Sequence, residues 1–423
     1  MLALDYIKKH PEVVEEAARV KGVSIDVASI LTLNDERVKL QRLVDERGAE
    51  QNRLSKLVPN APTEDRTRFI ARSRELRGEI ESDRTTLASV ESRLHEMLLR
   101  VPNIPSPDAP VGDASQNREV RTWGEVRDSA PRDHVELMLL NAWGDLERIA
   151  AVSGTRSYML RGELGLLEPA LHRFAMDVAV ERGFEPMLVP SMARSSAFVG
   201  SGHFPDGVED TYRVEDDLYL AGTSEVVLNA LHSGDILSVS ELPKKYAGYS
   251  TCFRRESGSA GRDVRGLVRV HQFTKVEQYV ICEANFELSA QFHDELLANA
   301  EHILRMLEIP YRVVECATGD MGLGKFRMND IESWVPSQRQ YRETHSCSSL
   351  TDWQARRSNL RYRGADGEVK YAFTLNNTAI ATPRILVPFL ENHQLEDGRV
   401  SIPPALRPYM YGRTTIGKRR AEP

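Results

Sequence analysis

The sequence predicts an α+β protein: an antiparallel β-sheet core with flanking helices, preceded by an N-terminal antiparallel two-helix coiled coil. Three observations predict it. Apolar residues recur at alternating spacings of four and three on both sides of the turn Pro59-Asn60-Ala61-Pro62. Four prolines (Pro102, Pro105, Pro107, Pro110) then crowd one short stretch. Beyond about residue 112, strand-like runs follow one another without a helix after each, which favours an antiparallel over a doubly wound parallel sheet.

Composition bounds the rest. The 423 residues are 41% hydrophobic and 28% charged, which excludes wholesale disorder and suits two or three domains. No apolar run approaches the ~18 residues of a membrane span. The start, Met1 to Lys9, lacks a signal-peptide pattern, so the expected location is the cytoplasm, away from membranes. Cys252, Cys282, Cys316 and Cys347 form no CxxC pair, which argues against a disulfide framework or a thiolate zinc site. The net charge of −7 argues against generic nucleic-acid binding. Residues 34–101, however, carry 14 Lys/Arg against 13 Asp/Glu, so any polyanion would meet a local surface.

Taken in order, residues 1–33 read as a cap of short helices, with Pro11 at a helix start, Gly22 as a stop and Asn34 as the next N-cap. A helix is expected from Asn34 to Leu57. Leu33, Leu40 and Leu54 fall on heptad spacing interrupted by Arg47, and Leu43, Glu50 and Leu57 on the companion spacing. A second helix is expected from Thr63 to Arg100. Its seam is Leu76, Ile80, Leu87, Val90, Leu94, Met97 and Val101, broken only by Asp83. At 1.5 Å per residue it would reach ~55 Å. Such a hairpin has too little core for a globular domain. It is either a dimerisation stalk or an arm that touches something distant, and the run Arg66, Arg68, Arg72, Arg74, Arg77 fits a polyanion as well as a solvated face. The domain boundaries are accordingly 1–101, a proline-stiffened linker 102–112, and a core 113–423.

Within the core, Leu167, Leu171, Phe174 and Val178 share a helix face. Strands are expected at Phe184–Val189, Asp217–Ala221, Tyr249–Phe253, Val268–Val270, Val276–Cys282 and Tyr371–Leu375. Helices are expected at Ser224–Leu231, Phe286–Leu307 and Pro383–His393.

No Walker A or Rossmann glycine motif is present, so a bound nucleotide would be held by side chains. The densest constellation runs from Cys252 to Glu277. A strand enters, a glycine-rich turn holds Arg262 and Arg265, and a strand returns through Arg269, Val270, His271 and Phe273. Guanidinium forks suit phosphate oxygens. Strand alternation would put Glu256 on one face with Arg254, and Glu277 on one face with Lys275. A hairpin laced by surface ion pairs is the bland explanation. Five arginines among glycines, with an aromatic, weigh against it.

Phe253-Arg254-Arg255-Glu256 with its loop resembles motif 2 of class II aminoacyl-tRNA synthetases. The longer string from Tyr246 to Glu277 is similar to bacterial-type seryl-tRNA synthetases in particular. Thr223-Ser224-Glu225 resembles that family's TxE serine motif. Glu343-Thr344-His345-Ser346-Cys347-Ser348, leading to Asp352-Trp353-Gln354-Ala355-Arg356-Arg357, resembles its signature before motif 3. Thr374 to Arg384 and Leu390 to Gln394 resemble motif 3, with Ala379-Ile380-Ala381 where class II enzymes commonly show glycines. Arm, linker and core follow in the family's order, and the resemblance spans essentially the whole chain.

The resemblance implies a class II catalytic core, a tRNA-binding arm, and activation of L-serine by ATP followed by transfer to the 3′ end of tRNA(Ser), with tRNA(Sec) as a further expected acceptor. It implies a homodimer, with motif 1 ending at Pro190 in the interface, and Mg²⁺ with the ATP. By position, Arg254 would hold the α-phosphate and Arg384 the γ-phosphate. Glu256 would accept from the adenine amino group, with Phe273 stacked on the ring and Val270 beside it. Arg255, Thr344 and His345 would complete the ATP contacts, and Glu343 and Ser346 would hold Mg²⁺. Thr223, Ser224, Glu225, Glu277 and Thr378 would line the serine pocket. Chemistry agrees, since carboxylates accept from both an ammonium and a hydroxyl.

Two other readings keep the fold: a synthetase-like RNA or partner binder without charging activity, and a serine-activating enzyme that loads a carrier. The first would be expected to lose Arg254, Glu277 or Arg384, and the second to lose the arm. The sequence keeps all of them. His271 is read as a structural strand histidine, His203 in Gly200-Ser201-Gly202-His203 as part of a lid, Trp334 and Trp353 as packing residues, and Lys418-Arg419-Arg420 as a solvated end.

Overall fold

The computed structural model describes residues 1–127, 132–257 and 266–418. Arg262, Arg265, Arg419 and Arg420 lie outside the described residues. The chain forms two compact units, Leu2–Pro102 and Asn103–Pro423, with Met1 belonging to the second.

The first unit is built on two long helices, α1 (Val27–Leu57) and α2 (Thr63–Leu99), joined by a short 3₁₀ turn at Val58–Asn60. α1 begins seven residues before the expected Asn34. The cap is Asp26, whose side chain accepts from the Ser29 amide, and Asn34 lies inside the helix. Gly22 does end the preceding turn, with φ of +68°, a conformation that favours glycine. Leu33, Val44 and Leu54 on α1 are buried, as are Leu76, Ile80, Leu87, Val90 and Leu94 on α2. The two seam interruptions explain each other. Arg47 forms ion pairs with Asp83 and, at 3.0 Å, with Glu79. Two charges in an apolar seam cost stability but fix register, because a slip of one turn would separate them. Two arginines of the run are tied down within the hairpin. Arg66 donates to the Val58 and Pro59 carbonyls at 3.1 and 3.0 Å, and Arg72 meets Glu50, Glu75 and Glu79 at 3.0–3.3 Å. Arg68, Arg74 and Arg77 are exposed.

The second unit is organised by an eight-stranded sheet. Its strands are β1 (Arg118–Trp123), β2 (Glu185–Leu188), β3 (Lys244–Phe253), β4 (Gln272–Cys282), β5 (Tyr311–Glu315), β6 (Arg327–Val335), β7 (Gln340–Thr351) and β8 (Phe373–Thr382). The order is β1-β5-β6-β7-β8-β4-β3-β2, antiparallel except for the parallel β2–β3 pair at one edge. Helices α3 (Glu163–Glu181) and α5 (Phe286–Met306) pack on one face. The expected stripe Leu167, Leu171, Phe174 and Val178 is buried there with Val276, Val280, Leu375 and Ile380. Three shorter helices flank the sheet: α4 (Glu225–Ala230), α6 (Trp353–Ser358) and α7 (Leu386–His393). Among the described residues, no helix is long and apolar enough to cross a membrane.

The expected strand at Val268–Val270 is a loop, and the expected strand at Tyr371–Leu375 is split between a short strand ending at Tyr371 and β8. Strands β1, β5, β6 and β7 go beyond the sequence reading. β6 and β7 carry so many polar residues (Asn329, Asp330, Glu332; Arg342, Glu343, Thr344) that apolar alternation is hidden. Register shifts interrupt four of the sheet's ladders, and two of them bear on the site, at Thr344 between β6 and β7 and at Ala379 between β4 and β8. Each adds one residue to one strand and re-aims the side chains beyond it.

Candidate active site

The sheet face opposite α3 and α5 is polar, and alternation makes it so. On β4, Phe273, Lys275 and Glu277 point to this face, while Val276 and Val280 point to the core. On β8, Asn376, Thr378, Ala381 and Thr382 line the same hollow; on β7, Glu343, Thr344, Ser346 and Ser348 do. Loops add Thr223, Glu225, Arg254, Glu256, Val270 and Arg384 to a cavity of about 230 Å³. Residues from Thr223 to Arg384 therefore converge on one concave surface, the ordinary form of a small-molecule site.

Arg254 and Arg384 approach it from separate loops. Arg254 follows the end of β3; its guanidinium lies 5.2 Å from the Phe273 ring centroid and donates to the Gly222 carbonyl at 3.4 Å. A Cβ on Gly222 would sit 3.2 Å from Arg254 Cγ, so the absent side chain is what admits the arginine. Arg384 lies just before α7. It donates to the Val268 carbonyl at 3.3 Å and pairs with Glu343 at 3.3 Å. Glu256 does not share a strand face with Arg254, because β3 ends at Phe253. It takes φ of +54°, and its carboxylate pairs with Arg269 at 2.9 Å.

At the other end of the cavity, Glu225 and Glu277 are buried, with Lys275 in an ion pair with Glu277. Their environments push them apart. Burial raises both, but at Glu225 this is outweighed by Lys325, His203, Lys275 and the Gln354 amide, which together lower it. At Glu277 burial prevails over Lys275, and the neighbouring Glu225 charge adds to the rise. Thr223 Oγ1 accepts from the Glu225 amide at 3.3 Å and so shapes the start of α4. His203 also lines the cavity. Its Nδ1 lies 2.9 Å from Ser201 Oγ, and desolvation pulls the ring down to about 4, so it is neutral at pH 7.

Three residues expected here do not line the cavity. Arg255 is exposed and donates to the Glu209 carbonyl at 3.0 Å. Ser224 donates to the Gly248 carbonyl at 3.2 Å, beneath α4; a Cβ on Gly248 would sit 2.7 Å from its hydroxyl. The bulge at Thr344 brings Glu343 onto the site face, while His345, between Thr344 and Ser346 and paired with core Ile331, falls on the core side of β7 by ordinary alternation. Its Nε2 lies 3.1 Å from the Ala379 carbonyl, so it ties one bulge to the other, and burial lowers it to about 4. His271 is structural as expected, with Nδ1 3.1 Å from the Arg254 carbonyl. Trp353 is packed, with the Arg357 guanidinium 3.8 Å above its ring.

Other lining residues were not picked out as site residues. Lys275 and Asn376 could have been found by parity, each lying two positions before a nominated residue on its strand. Lys325 and Thr382 had no such signal. Asp330, paired across the sheet with Ser346, is a further buried carboxyl; burial and the nearby Glu343 push it up to about 8.

The arrangement can hold an extended anionic ligand between two guanidinium groups, with a small ammonium-bearing group against two carboxylates. Glu343 and Ser346 offer hard oxygen ligands on the same strand face, a donor set that fits Mg²⁺.

Residues 1–105 match the family model described as the seryl-tRNA synthetase N-terminal domain, and residues 208–393 match the tRNA synthetase class II core domain (G, H, P, S and T). A serine–tRNA ligase of Deinococcus radiodurans is 51% identical over 99% of each chain, and one of Rubrobacter xylanophilus is 44% identical over 99% of this chain and all of that one. A seryl-tRNA synthetase from Pyrococcus horikoshii, crystallised with ATP, superposes with a TM-score of 0.90 at 38% identity, covering 99% of each chain.

Proposed function

The chain belongs to the seryl-tRNA synthetase family, and from that premise we propose that it is a serine–tRNA ligase working through the cavity just described. It activates L-serine with ATP to seryl-adenylate and pyrophosphate, then transfers the seryl group to the 3′ end of tRNA(Ser), with tRNA(Sec) as a second acceptor. It acts in the cytoplasm as a homodimer. The observation that carries the reading is the juxtaposition of Arg254 and Arg384 with the buried pair Glu225 and Glu277 on one sheet face.

The chemistry follows from the placement. A serine carboxylate oxygen attacks the α-phosphorus and forms a new P–O bond, while the bond to the β-phosphate oxygen breaks and pyrophosphate leaves. Such a step needs positioning and charge neutralisation more than a base. Arg254 neutralises the α-phosphate, and Arg384 anchors the far end of the triphosphate. Glu256 accepts from the adenine amino group, and Phe273 and Val270 face the ring. Thr344 shapes the wall beside the phosphates. Glu343 and Ser346 would hold Mg²⁺, which would add to the neutralisation of the phosphates. Glu225, with Thr223 and Thr378, receives the serine ammonium and hydroxyl, and Glu277 completes the pocket. A site that hydrogen-bonds a hydroxyl rejects the analogue lacking it by ~10⁴-fold, so alanine is excluded by chemistry and threonine by size.

The test is ATP–pyrophosphate exchange with each amino acid in turn, followed by charging of total tRNA. Exchange should occur with serine alone, and the charged product should be seryl-tRNA. Exchange with another amino acid, or serine exchange without charging, would defeat the proposal.

A further inference from the structure

We infer that Gln354 is a positioning residue that holds the Glu225 carboxylate in the orientation that receives the substrate. The inference rests on the assignment of Glu225 to the serine pocket.

Gln354 sits on α6, beneath the cavity and fully buried. A primary amide has two N–H donors and two acceptor sites. Here Nε2 donates to Glu225 Oε1 at 2.6 Å and to the Ser201 carbonyl at 2.9 Å. Oε1 accepts from Thr374 Oγ1 at 2.7 Å, and the single Tyr279 hydroxyl proton is shared between Asn229 Oδ1 at 3.0 Å and Gln354 Oε1 at 3.4 Å. Thus β8, β4, α4 and the segment ending at Ser201 all meet at one amide.

This network fixes which way the amide faces. Turned over, Oε1 would oppose the Ser201 carbonyl and the Glu225 carboxylate, and Nε2 would meet two hydroxyls. Only the observed orientation places a donor under Glu225. The short bond engages Glu225 Oε1 from behind the pocket, so the substrate-facing geometry of the carboxylate is set before serine arrives. It also favours the ionised carboxylate, in line with Lys325 and Lys275 nearby. A pre-set, ionised acceptor is what discrimination by a single ammonium and hydroxyl requires.

Two variants test this, Gln354→Met and Gln354→Glu, by steady-state ATP–pyrophosphate exchange. A charge-assisted buried hydrogen bond is worth roughly 10- to 100-fold in binding. Gln354→Met should raise the serine KM roughly 10- to 100-fold while the ATP KM stays within about twofold. In Gln354→Glu, two carboxyls would meet at the former hydrogen bond. At low pH they share a proton and the bond is restored; as pH rises the proton is lost and the charges repel. Its serine KM should therefore climb with pH more steeply than that of the wild type. A merely structural role would lower thermal stability and move the serine and ATP KM together, and that result would overturn the inference, as would an unchanged serine KM in folded protein. If Gln354→Met does not fold, the pH profile of the near-isosteric Gln354→Glu decides alone. A wild-type chain with no serine-dependent exchange would instead sink the site assignment, and this inference with it.

Discussion

Arg254→Ala should reduce serine-dependent pyrophosphate exchange by at least ~10²- to 10³-fold, the usual cost of removing one preorganised donor to transition-state charge. The expectation comes from how the side chain is held. It is laid over Phe273 and admitted by Gly222, so its fork faces the cavity without having to be reorganised. Negative charge grows on the oxygens around the α-phosphorus as the carboxylate attacks, and among the described residues the other arginine at the β3 end of the cavity, Arg269, is paired with Glu256. The neighbouring Arg255 is the internal control. It shares the motif but bonds to the Glu209 carbonyl, so Arg255→Ala should leave exchange within a few-fold of wild type. Equal losses in the two variants would mean that the phosphate assignment is wrong.

The second large effect separates the two steps of the reaction. Replacing residues 41–89 by a short glycine-containing turn removes the far part of the helical hairpin, including the Arg47–Asp83 and Arg47–Glu79 pairs and exposed Arg68, Arg74 and Arg77, while keeping Leu33, Val90 and Leu94 as apolar anchors at its base. The core unit carries the whole cavity, so serine-dependent exchange should persist within a few-fold. On the proposal that the exposed arginines of the arm meet tRNA phosphates, charging of tRNA should fall at least ~100-fold, because several such contacts would be lost together. In light scattering the truncated chain should remain a dimer, since we assign dimerisation to the segment ending at Pro190 and not to the arm. Surviving charging would give the arm another purpose, and a monomer would make it the dimerisation stalk that its sequence alone also allows.

Most of the arm was legible because coiled-coil periodicity is a local property. Even the two residues that broke it, Arg47 and Asp83, turned out to be partners. Its start was misplaced because Asp26 competes with Asn34 as a cap and nothing local decides between them. In the core, strands with apolar alternation were legible and β6 and β7 were not, because the strands that line a polar site have to give up that alternation. The same cause governs the site. Arg254, Glu256, Glu277, Glu343, Ser346, Thr378 and Arg384 were nominated from motif resemblance and converge on one cavity. Arg255, Ser224 and His345 were nominated with them and stand elsewhere. Contiguity in a motif does not put its residues on one face: Ser224 lies at a helix start, Arg255 beyond a strand end, and His345 on the opposite side of β7 from Ser346 by alternation. Lys325 and Gln354 come from segments whose approach to the pocket is decided only by tertiary packing.

The most direct measurement is a crystal structure of the chain with ATP, Mg²⁺ and a non-reactive serine analogue. The triphosphate should lie between Arg254 and Arg384, the adenine against Phe273 with its amino group at Glu256, and the analogue's ammonium against Glu225. A nucleotide bound away from both arginines, or an analogue seated outside the Glu225–Glu277 pocket, would contradict the account.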